Sequence, residues 1–140
     1  MSKRTPPHKN NPLITEAKFR SMIISALRNA SRWWSPANIA IENACVGIRV
    51  NANTGKKAKH YKCASCKKIF IRKDVAADHI SPVILPEQGF VDWNTFIDRL
   101  FAPVYSYQCI CTRCHKNKTD EERRLKKEYE KRIKGNTDKS

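Results

Sequence analysis

Four of the six cysteines form two C-x-x-C pairs, Cys63 with Cys66 and Cys111 with Cys114. Cysteine thiolates bind Zn²⁺ in a tetrahedron, and two such pairs supply four ligands with little strain. We therefore predict that these four residues form a structural zinc site, with a redox-active C-x-x-C as the alternative. The loop between the pairs, residues 67–110, is longer than a short zinc ribbon needs. Further structure is expected inside it.

The residues with catalytic potential are an adjacent pair inside this loop, Asp78 and His79, and a histidine directly after the second cysteine pair, His115. A neutral imidazole can act as a general base near pH 7. A carboxylate and an imidazole can together hold a divalent cation and leave positions open for phosphate and water. Hydrolysis of a phosphodiester needs both a base and such a cation. The three residues therefore predict metal-assisted hydrolysis, with His79 as the base and Asp78 and His115 as metal ligands.

The charge of the chain predicts a polyanionic partner. There are 28 lysines and arginines against 13 aspartates and glutamates, a formal net charge of +15. Nucleic acid is the simplest partner for such an excess, and a solubilising surface or association with the ribosome is the alternative. The basic residues expected to contact DNA lie near the second cysteine pair or just before the first: Arg113, Lys116, Lys118 and Arg123, and Lys56, Lys57 and Lys59.

The cellular setting is bounded by what the sequence lacks. No apolar run is long enough to cross a membrane, and no apolar signal-peptide core follows the first residue. The paired cysteine spacing favours metal binding in a reducing compartment over secreted disulfides. We therefore expect a cytoplasmic protein without a membrane partner.

Two helices are predicted in the first third of the chain. The first follows an N-cap at Thr15 and has one apolar face, formed by Phe19, Met22, Ile23, Ala26, Leu27 and Ala30. The second covers about 36–45, since Ser35 before Pro36 is a favourable helix start. Trp33 and Trp34 between them are expected to anchor the core, and Cys45 to be a small buried hydrophobe.

The loop between the cysteine pairs is predicted to hold a hairpin and a helix. Residues 51–62 are interpreted as a basic, flexible loop, and the apolar runs 69–71 and 75–80 as a β-hairpin. This places Asp78 and His79 on opposite-facing positions near a strand end. A helix over about 93–101 is expected after a cap at Asp92, and residues 104–110 are rich in β-forming types.

The last helix has two possible starts. Thr119 and Glu122 match a capping box, which favours a start at 119, whereas a metal site that includes His115 favours a start near 112. Cys109, two residues before the second pair, is expected to face the core rather than the metal.

Together these motifs resemble the zinc-containing branch of the HNH endonucleases, in particular small nucleases of phages and prophages. The residues that carry the resemblance are Cys63-x-x-Cys66, then Asp78-His79-Ile80-x-Pro82, then Cys111-x-x-Cys114-His115-x-x-Lys118-Thr119. The similarity covers roughly residues 60–125 and, more loosely, residues 32–36 and 92–101.

The resemblance implies an α+β fold with a ββα-metal (His-Me finger) core and a separate Cys₄ zinc site. In that fold two strands and a helix surround one catalytic divalent ion, Mg²⁺ or another. His79 would be the general base, Asp78 and His115 would hold the ion, and Lys118 would face the DNA backbone. The products would carry 5′-phosphate and 3′-hydroxyl ends. We expect a monomer or dimer, in a bacterial host cell if the protein is of phage origin.

The predicted organisation has four parts. Residues 1–12 are a disordered basic arm, 13–50 a helical segment packed on the core, 51–134 the nuclease core with its zinc, and 135–140 a disordered tail.

One residue departs from the family pattern. The asparagine that usually braces the loop carrying the base is replaced by Ser106, which offers one hydroxyl in place of an amide. A catalytically silent, zinc-containing nucleic-acid-binding module is therefore the alternative function.

Overall fold

The computed structural model describes residues 6–137, a mixed arrangement of helices and strands. The chain divides into two compact units, Met1–Trp34 and Ser35–Ser140. The predicted disordered tail is wrong over residues 135–137, which belong to the last helix, and its other three residues lie outside the described part of the chain.

The first unit is a small hairpin followed by a helix. Its elements are β1 (Pro7–His8), β2 (Asn11–Thr15), α1 (Glu16–Ala30) and a 3₁₀ turn (Ser31–Trp33). The predicted N-cap is confirmed, since the Thr15 hydroxyl accepts a hydrogen bond of 3.1 Å from the Lys18 amide. The predicted disordered arm is wrong where β1 pairs with β2, and its first five residues lie outside the described part of the chain.

The expectation for Trp33 is also wrong. Its side chain lies in the turn that ends α1 and is 86 % exposed, so it does not anchor a core. α1 passes at Ala30 into the 3₁₀ turn, and the backbone becomes extended at Trp34, so Trp33 is the last residue of the turn and stays exposed.

The second unit carries all the residues with predicted chemistry. Its elements are α2 (Ser35–Asn43), β3 (Cys45–Val50), β4 (Lys57–Lys62), β5 (Ile69–Ile71), β6 (Val75–His79), α3 (Trp93–Leu100), β7 (Tyr107–Cys111) and α4 (Thr112–Thr137). The strands form two antiparallel sheets, one in the order β3-β4-β5 and the other with β6 beside β7. The Asp92 cap is confirmed, because its carboxylate accepts from the Thr95 amide at 2.7 Å.

The sequence-predicted boundary at residue 50 is wrong. Residues 45–50 form β3, which pairs with β4, and the unit begins at Ser35, so α2 and β3 belong with the core. The basic loop predicted over 51–62 is correspondingly shorter, since its second half is β4. Gly47 permits this pairing because its φ of +117° accommodates the bulge in β3.

The predicted hairpin of residues 69–80 does not form. β5 pairs with β4, whereas β6 pairs with β7, more than 25 residues further along the chain. A 3₁₀ turn over Arg72–Asp74 redirects the chain between the two sheets. The β6–β7 pairing is favoured because it buries Val75 with Cys109 and Ile41 in one apolar cluster.

Two helices contact the β6–β7 pair, and a third lies at its end. α2 packs on β6 and β7 through Ile41, and α4 contacts the same two strands. α3 buries Phe96 and Leu100. Cys109 is buried as predicted, whereas Cys45 is only partly buried.

The start of α4 is resolved in favour of the arrangement that a site at His115 requires. The helix begins at Thr112, directly after β7. The Thr119 hydroxyl donates to the His115 carbonyl at 3.0 Å, one turn back within the helix, so it does not cap a helix start. Among the described residues, no helix has the length and apolar character needed to cross a membrane.

Candidate active site and metal centre

The two cysteine pairs meet in space as the sequence predicts. The four sulfur atoms all lie within 4.8 Å of one another, and the Sγ atoms of Cys66 and Cys111 are 3.9 Å apart. A tetrahedral ion with Zn–S bonds of about 2.3 Å places its sulfurs about 3.8 Å apart. These four cysteines, Cys63, Cys66, Cys111 and Cys114, therefore fit a metal ion such as zinc.

Local backbone geometry brings these sulfurs together. The first pair follows β4 in a tight turn in which Lys67 has a φ of +65°, and the second spans the junction of β7 and α4. The Ala64 amide donates to the Cys109 carbonyl at 2.8 Å, which ties the turn to β7. The turn thus binds the strand that leads into the second pair.

The Cys63 sulfur is held in an environment suited to a thiolate. Burial raises its pKa, but hydrogen bonds from the amides of Cys111, Cys66 and Ser65 outweigh this effect and lower the pKa to about 6. At Cys114 a hydrogen bond to Ser65 lowers the pKa, but hydrogen bonds to the other cysteines together with burial raise it to about 11. Four crowded thiols cannot all ionise without a cation among them, as expected for a metal-binding set.

Asp78 lies where β6 meets the first turns of α4. Its Oδ1 is 3.7 Å from the Nε2 of His115, so the predicted pair of metal ligands is brought together. Its Oδ2 accepts hydrogen bonds from Gln108 at 3.0 Å and from the Lys118 ammonium at 2.5 Å. The Asp78 side chain is 12 % exposed and that of His115 is 46 % exposed. One carboxylate oxygen is thus held by the protein while the other faces a solvent-accessible imidazole.

His79 faces the opposite side of β6 and is held by α3. Its Nε2 lies 2.9 Å from the Leu100 carbonyl oxygen, and its ring is 4.6 Å from the ring of Tyr107. A carbonyl oxygen only accepts, so Nε2 carries the proton in this hydrogen bond and the lone pair of the neutral ring is on Nδ1. The contact with α3 therefore leaves Nδ1 as the basic atom.

The Leu100 carbonyl is itself fixed by Tyr107. The Tyr107 hydroxyl donates to it at 2.8 Å and accepts from the Ala102 amide at 3.2 Å. A cavity of about 490 Å³ lies beside His79, lined also by Arg99, Tyr105 and Ser106. His79 thus lies at the edge of an open, partly polar space.

Ser106 contacts the segment after the base through its backbone. Its carbonyl accepts a hydrogen bond of 2.9 Å from the Ile80 amide. The sequence predicts that the Ser106 hydroxyl braces this segment. In the structure the bracing contact is the backbone hydrogen bond between the Ile80 amide and the Ser106 carbonyl, which continues the pairing of β6 with β7.

Sequence reasoning missed three residues of this site. Gln108 lies opposite Asp78, and Tyr107 opposite His79, in the β6–β7 register. Both could have been found had that pairing been predicted in place of the hairpin. No sequence signal marks the Leu100 carbonyl, because any residue type supplies a backbone oxygen.

The basic residues predicted to contact DNA divide into two groups. Lys118 points into the site, where it also bonds the carbonyl oxygens of His79 and Ile80. The remaining six are exposed: Arg113, Lys116 and Arg123 on α4, and Lys56, Lys57 and Lys59 on the β3–β4 hairpin. Lys59 lies 3.5 Å from the carboxylate of Glu42.

No family model matches this chain, and neither a curated protein nor a solved structure matches it at a significant level.

Proposed function

We propose that this chain is a divalent-metal-dependent DNA endonuclease of the HNH type. The observation that carries the proposal is the approach of the Asp78 carboxylate to the His115 imidazole, 3.7 Å apart, beside a histidine on the same strand end whose Nε2 is anchored. β7 pairs antiparallel with β6 and runs directly into α4, so two paired strands and a helix come together, as expected for a ββα-metal core, with α3 inserted between the strands. The four-cysteine cluster ties this unit to the turn after β4.

The donor set suits a hard divalent ion on one side of β6. Asp78 and His115 would hold Mg²⁺ or a similar cation, with Asp78 Oδ1 the oxygen left open by the contacts of Oδ2. Such an ion, when bound, neutralises charge on the phosphate and stabilises the leaving oxygen.

On the other side of β6, His79 would act as the general base. With Nε2 bonded to the Leu100 carbonyl, Nδ1 accepts the proton of the attacking water. The resulting imidazolium is stabilised by the same carbonyl oxygen. Attack by water forms a new P–O bond and breaks the bond between phosphorus and the 3′-oxygen, which takes a proton from solvent, so the ends carry a 5′-phosphate and a 3′-hydroxyl.

The distribution of exposed positive charge supports DNA as the substrate. The outer part of the β3–β4 hairpin, residues 48–50 and 57–59, we call the distal ribbon. β5 pairs only with residues 60–62, so within the described chain no third strand pairs with the distal ribbon. It presents Lys57 and Lys59 beside Ile48 and Val50, whose exposed fractions are 67 % and 60 %. A two-stranded ribbon of this kind fits the DNA major groove.

A catalytically silent nucleic-acid-binding module is the second candidate. The observation that favours it is the Lys118 ammonium at Asp78 Oδ2, which neutralises one of the two proposed metal ligands. The zinc site and the positive surface charge would support nucleic-acid binding in such a module without any cleavage.

Cleavage of supercoiled plasmid with Mg²⁺ or Mn²⁺ tests the proposal. We expect nicked or linear product from wild type, loss of product with EDTA, and a loss of at least roughly 100-fold in Asp78→Asn and His115→Ala. His60→Ala is the control, since the hydrogen bond that the His60 ring makes among the described residues is a local one with the Ala58 carbonyl. Full activity in Asp78→Asn would contradict the assignment. DNA binding without cleavage by any variant would favour the silent module.

A further inference from the structure

Lys118 is the one predicted DNA contact that is turned inward. It lies one helical turn after His115, and its side chain is 25 % exposed. Its ammonium contacts three oxygens: Asp78 Oδ2, the His79 carbonyl and, at 3.2 Å, the Ile80 carbonyl. An ammonium has three hydrogens to donate, so these contacts use its full capacity. No donor is left for a phosphate in this arrangement.

These contacts lie at the point where β6 ends. The carbonyls of His79 and Ile80 belong to the last residue of the strand and the one after it. Binding both carbonyls fixes the direction in which the chain leaves the sheet, and with it the backbone that carries the base. The Glu122 carboxylate lies 3.8 Å from the same ammonium, on the next turn of α4, and adds a longer electrostatic contact.

The same ammonium determines which oxygen of Asp78 remains open. Oδ2 accepts from both Lys118 and Gln108, which occupy its two lone-pair directions. Oδ1 is the oxygen nearest His115, at 3.7 Å. A cation bound between Asp78 and His115 would therefore be coordinated by Asp78 through Oδ1.

We infer that Lys118 is a positioning residue for the proposed cleavage reaction and not a DNA-backbone contact. It acts through two other residues, by presenting Asp78 Oδ1 toward His115 and by fixing the backbone of His79. The inference rests on the proposed function for its catalytic consequence, whereas its structural part, a lysine that holds the end of β6, does not require cleavage.

The test compares Lys118→Met and Lys118→Arg with Lys116→Met, which removes the same charge from an exposed position two residues away. In the zinc-loaded protein without Mg²⁺, we expect Lys118→Met to lower the unfolding temperature by about 3 °C or more, and Lys116→Met by much less. DNA affinity should fall less in Lys118→Met than in Lys116→Met, because Lys116 is one of the exposed residues expected to contact DNA. In cleavage, kcat should fall at least roughly tenfold in Lys118→Met with KM nearly unchanged.

The Lys118→Arg variant distinguishes a positioning role of Lys118 from a direct contact with a DNA phosphate. A guanidinium binds phosphate well, but its planar fork cannot direct donors at three converging oxygens as an ammonium does. We therefore expect Lys118→Arg to lose kcat while it keeps wild-type DNA affinity. Wild-type kcat in Lys118→Arg, or a loss of DNA affinity in Lys118→Met as large as that of Lys116→Met, would overturn the inference. Faster cleavage by Lys118→Met at low Mn²⁺ would overturn it too, since Lys118 would then compete with the cation.

The two proposals fail separately. If wild type does not cleave DNA under any of these conditions, the nuclease proposal fails, and the unfolding temperatures still decide whether Lys118 holds the strand end. Equal unfolding temperatures for Lys118→Met and Lys116→Met would overturn the structural part even in an active nuclease.

Discussion

Two adjacent residues at the end of β6 face opposite ways and are held by different helices. Asp78 faces α4, where His115 and Lys118 approach its carboxylate. His79 faces the end of α3, where its Nε2 donates a hydrogen bond to the Leu100 carbonyl. The side chains of the proposed ligand and the proposed base thus have different partners, and Lys118 links the two residues because it binds both Asp78 Oδ2 and the His79 carbonyl.

The orientation of His79 should depend on Tyr107. In Tyr107→Phe the Leu100 carbonyl loses one donor and the Ala102 amide loses its acceptor. We expect a destabilisation of about 1–3 kcal/mol, measured by denaturant unfolding. Cleavage should fall by roughly tenfold, less than on removal of the base itself. Ser106→Ala is the matched control, and it should stay near wild type because its contact to Ile80 is through the backbone. A larger loss in Ser106→Ala than in Tyr107→Phe would show that the hydroxyl braces the base after all.

The ionisation of Cys63 predicts a pH dependence in zinc-free protein. Its pKa is lowered to about 6 in the fold from an ordinary value of 9. A lowered pKa contributes stability that is fully present above the unfolded value and is lost as pH falls through the folded value. The stability difference between zinc-free wild type and zinc-free Cys63→Ser should therefore shrink between pH 9 and pH 6. A difference that stays constant in denaturant unfolding over this range would contradict the assignment.

At the scale of elements, the helix caps predicted from local sequence are confirmed, whereas the predicted strand pairing is wrong. The caps at Thr15 and Asp92 gave the starts of α1 and α3, because a side chain that accepts from an amide three residues on is a local feature. The strand predicted over 75–80 is confirmed at Val75–His79, but its predicted partner is wrong, since β-pairing depends on burial with residues distant in sequence. Gln108 and Tyr107 were missed for the same reason.

The sequence predicts which residues lie close together at the site better than it predicts how the strands that carry them pair. The cysteine pairs and the Asp78–His115 pair could be found because ligand chemistry restricts residue type and spacing. The inward direction of Lys118 could not, because a lysine on an amphipathic helix has the same local pattern whether it faces solvent or a carboxylate.

The distal ribbon should supply part of the DNA affinity. Lys57→Ala within the distal ribbon, combined with Lys56→Ala directly before it, removes two exposed cations from the β3–β4 hairpin. We expect the slope of log affinity against log salt concentration to become less steep by about 2, since each neutralised phosphate contributes roughly 0.9. The comparison pair, Lys131→Ala with Lys134→Ala on the last turns of α4, should change the slope less. An equal change in both pairs would indicate binding by net charge alone.

At the scale of the whole molecule, the four-cysteine cluster joins distant parts of the second unit. It connects the turn after β4 to the junction of β7 and α4, across the segment that holds β5, β6 and α3. A metal bound there closes a long loop, and the free energy of its binding adds to the free energy of folding. The proposed catalytic residues lie inside or directly beside this loop.

Removal of zinc should therefore lower the free energy of unfolding of the protein. We expect strong chelation to lower the unfolding temperature markedly, and Cys111→Ser to do the same without a chelator. Cys45→Ser is the control, because Cys45 is partly buried but does not belong to the cluster. An unchanged unfolding curve after metal removal, verified by metal analysis, would contradict a structural role for the cluster.

The most direct test of the account is cleavage of supercoiled plasmid by wild type and His79→Ala, side by side, with Mg²⁺ or Mn²⁺ and with DNA binding measured for both. The account predicts nicked or linear product from wild type, a loss of roughly 10²- to 10⁴-fold in His79→Ala, and equal DNA affinity. Equal cleavage by the two proteins would contradict His79 as the base. Absence of cleavage by wild type that still binds DNA would contradict the nuclease itself.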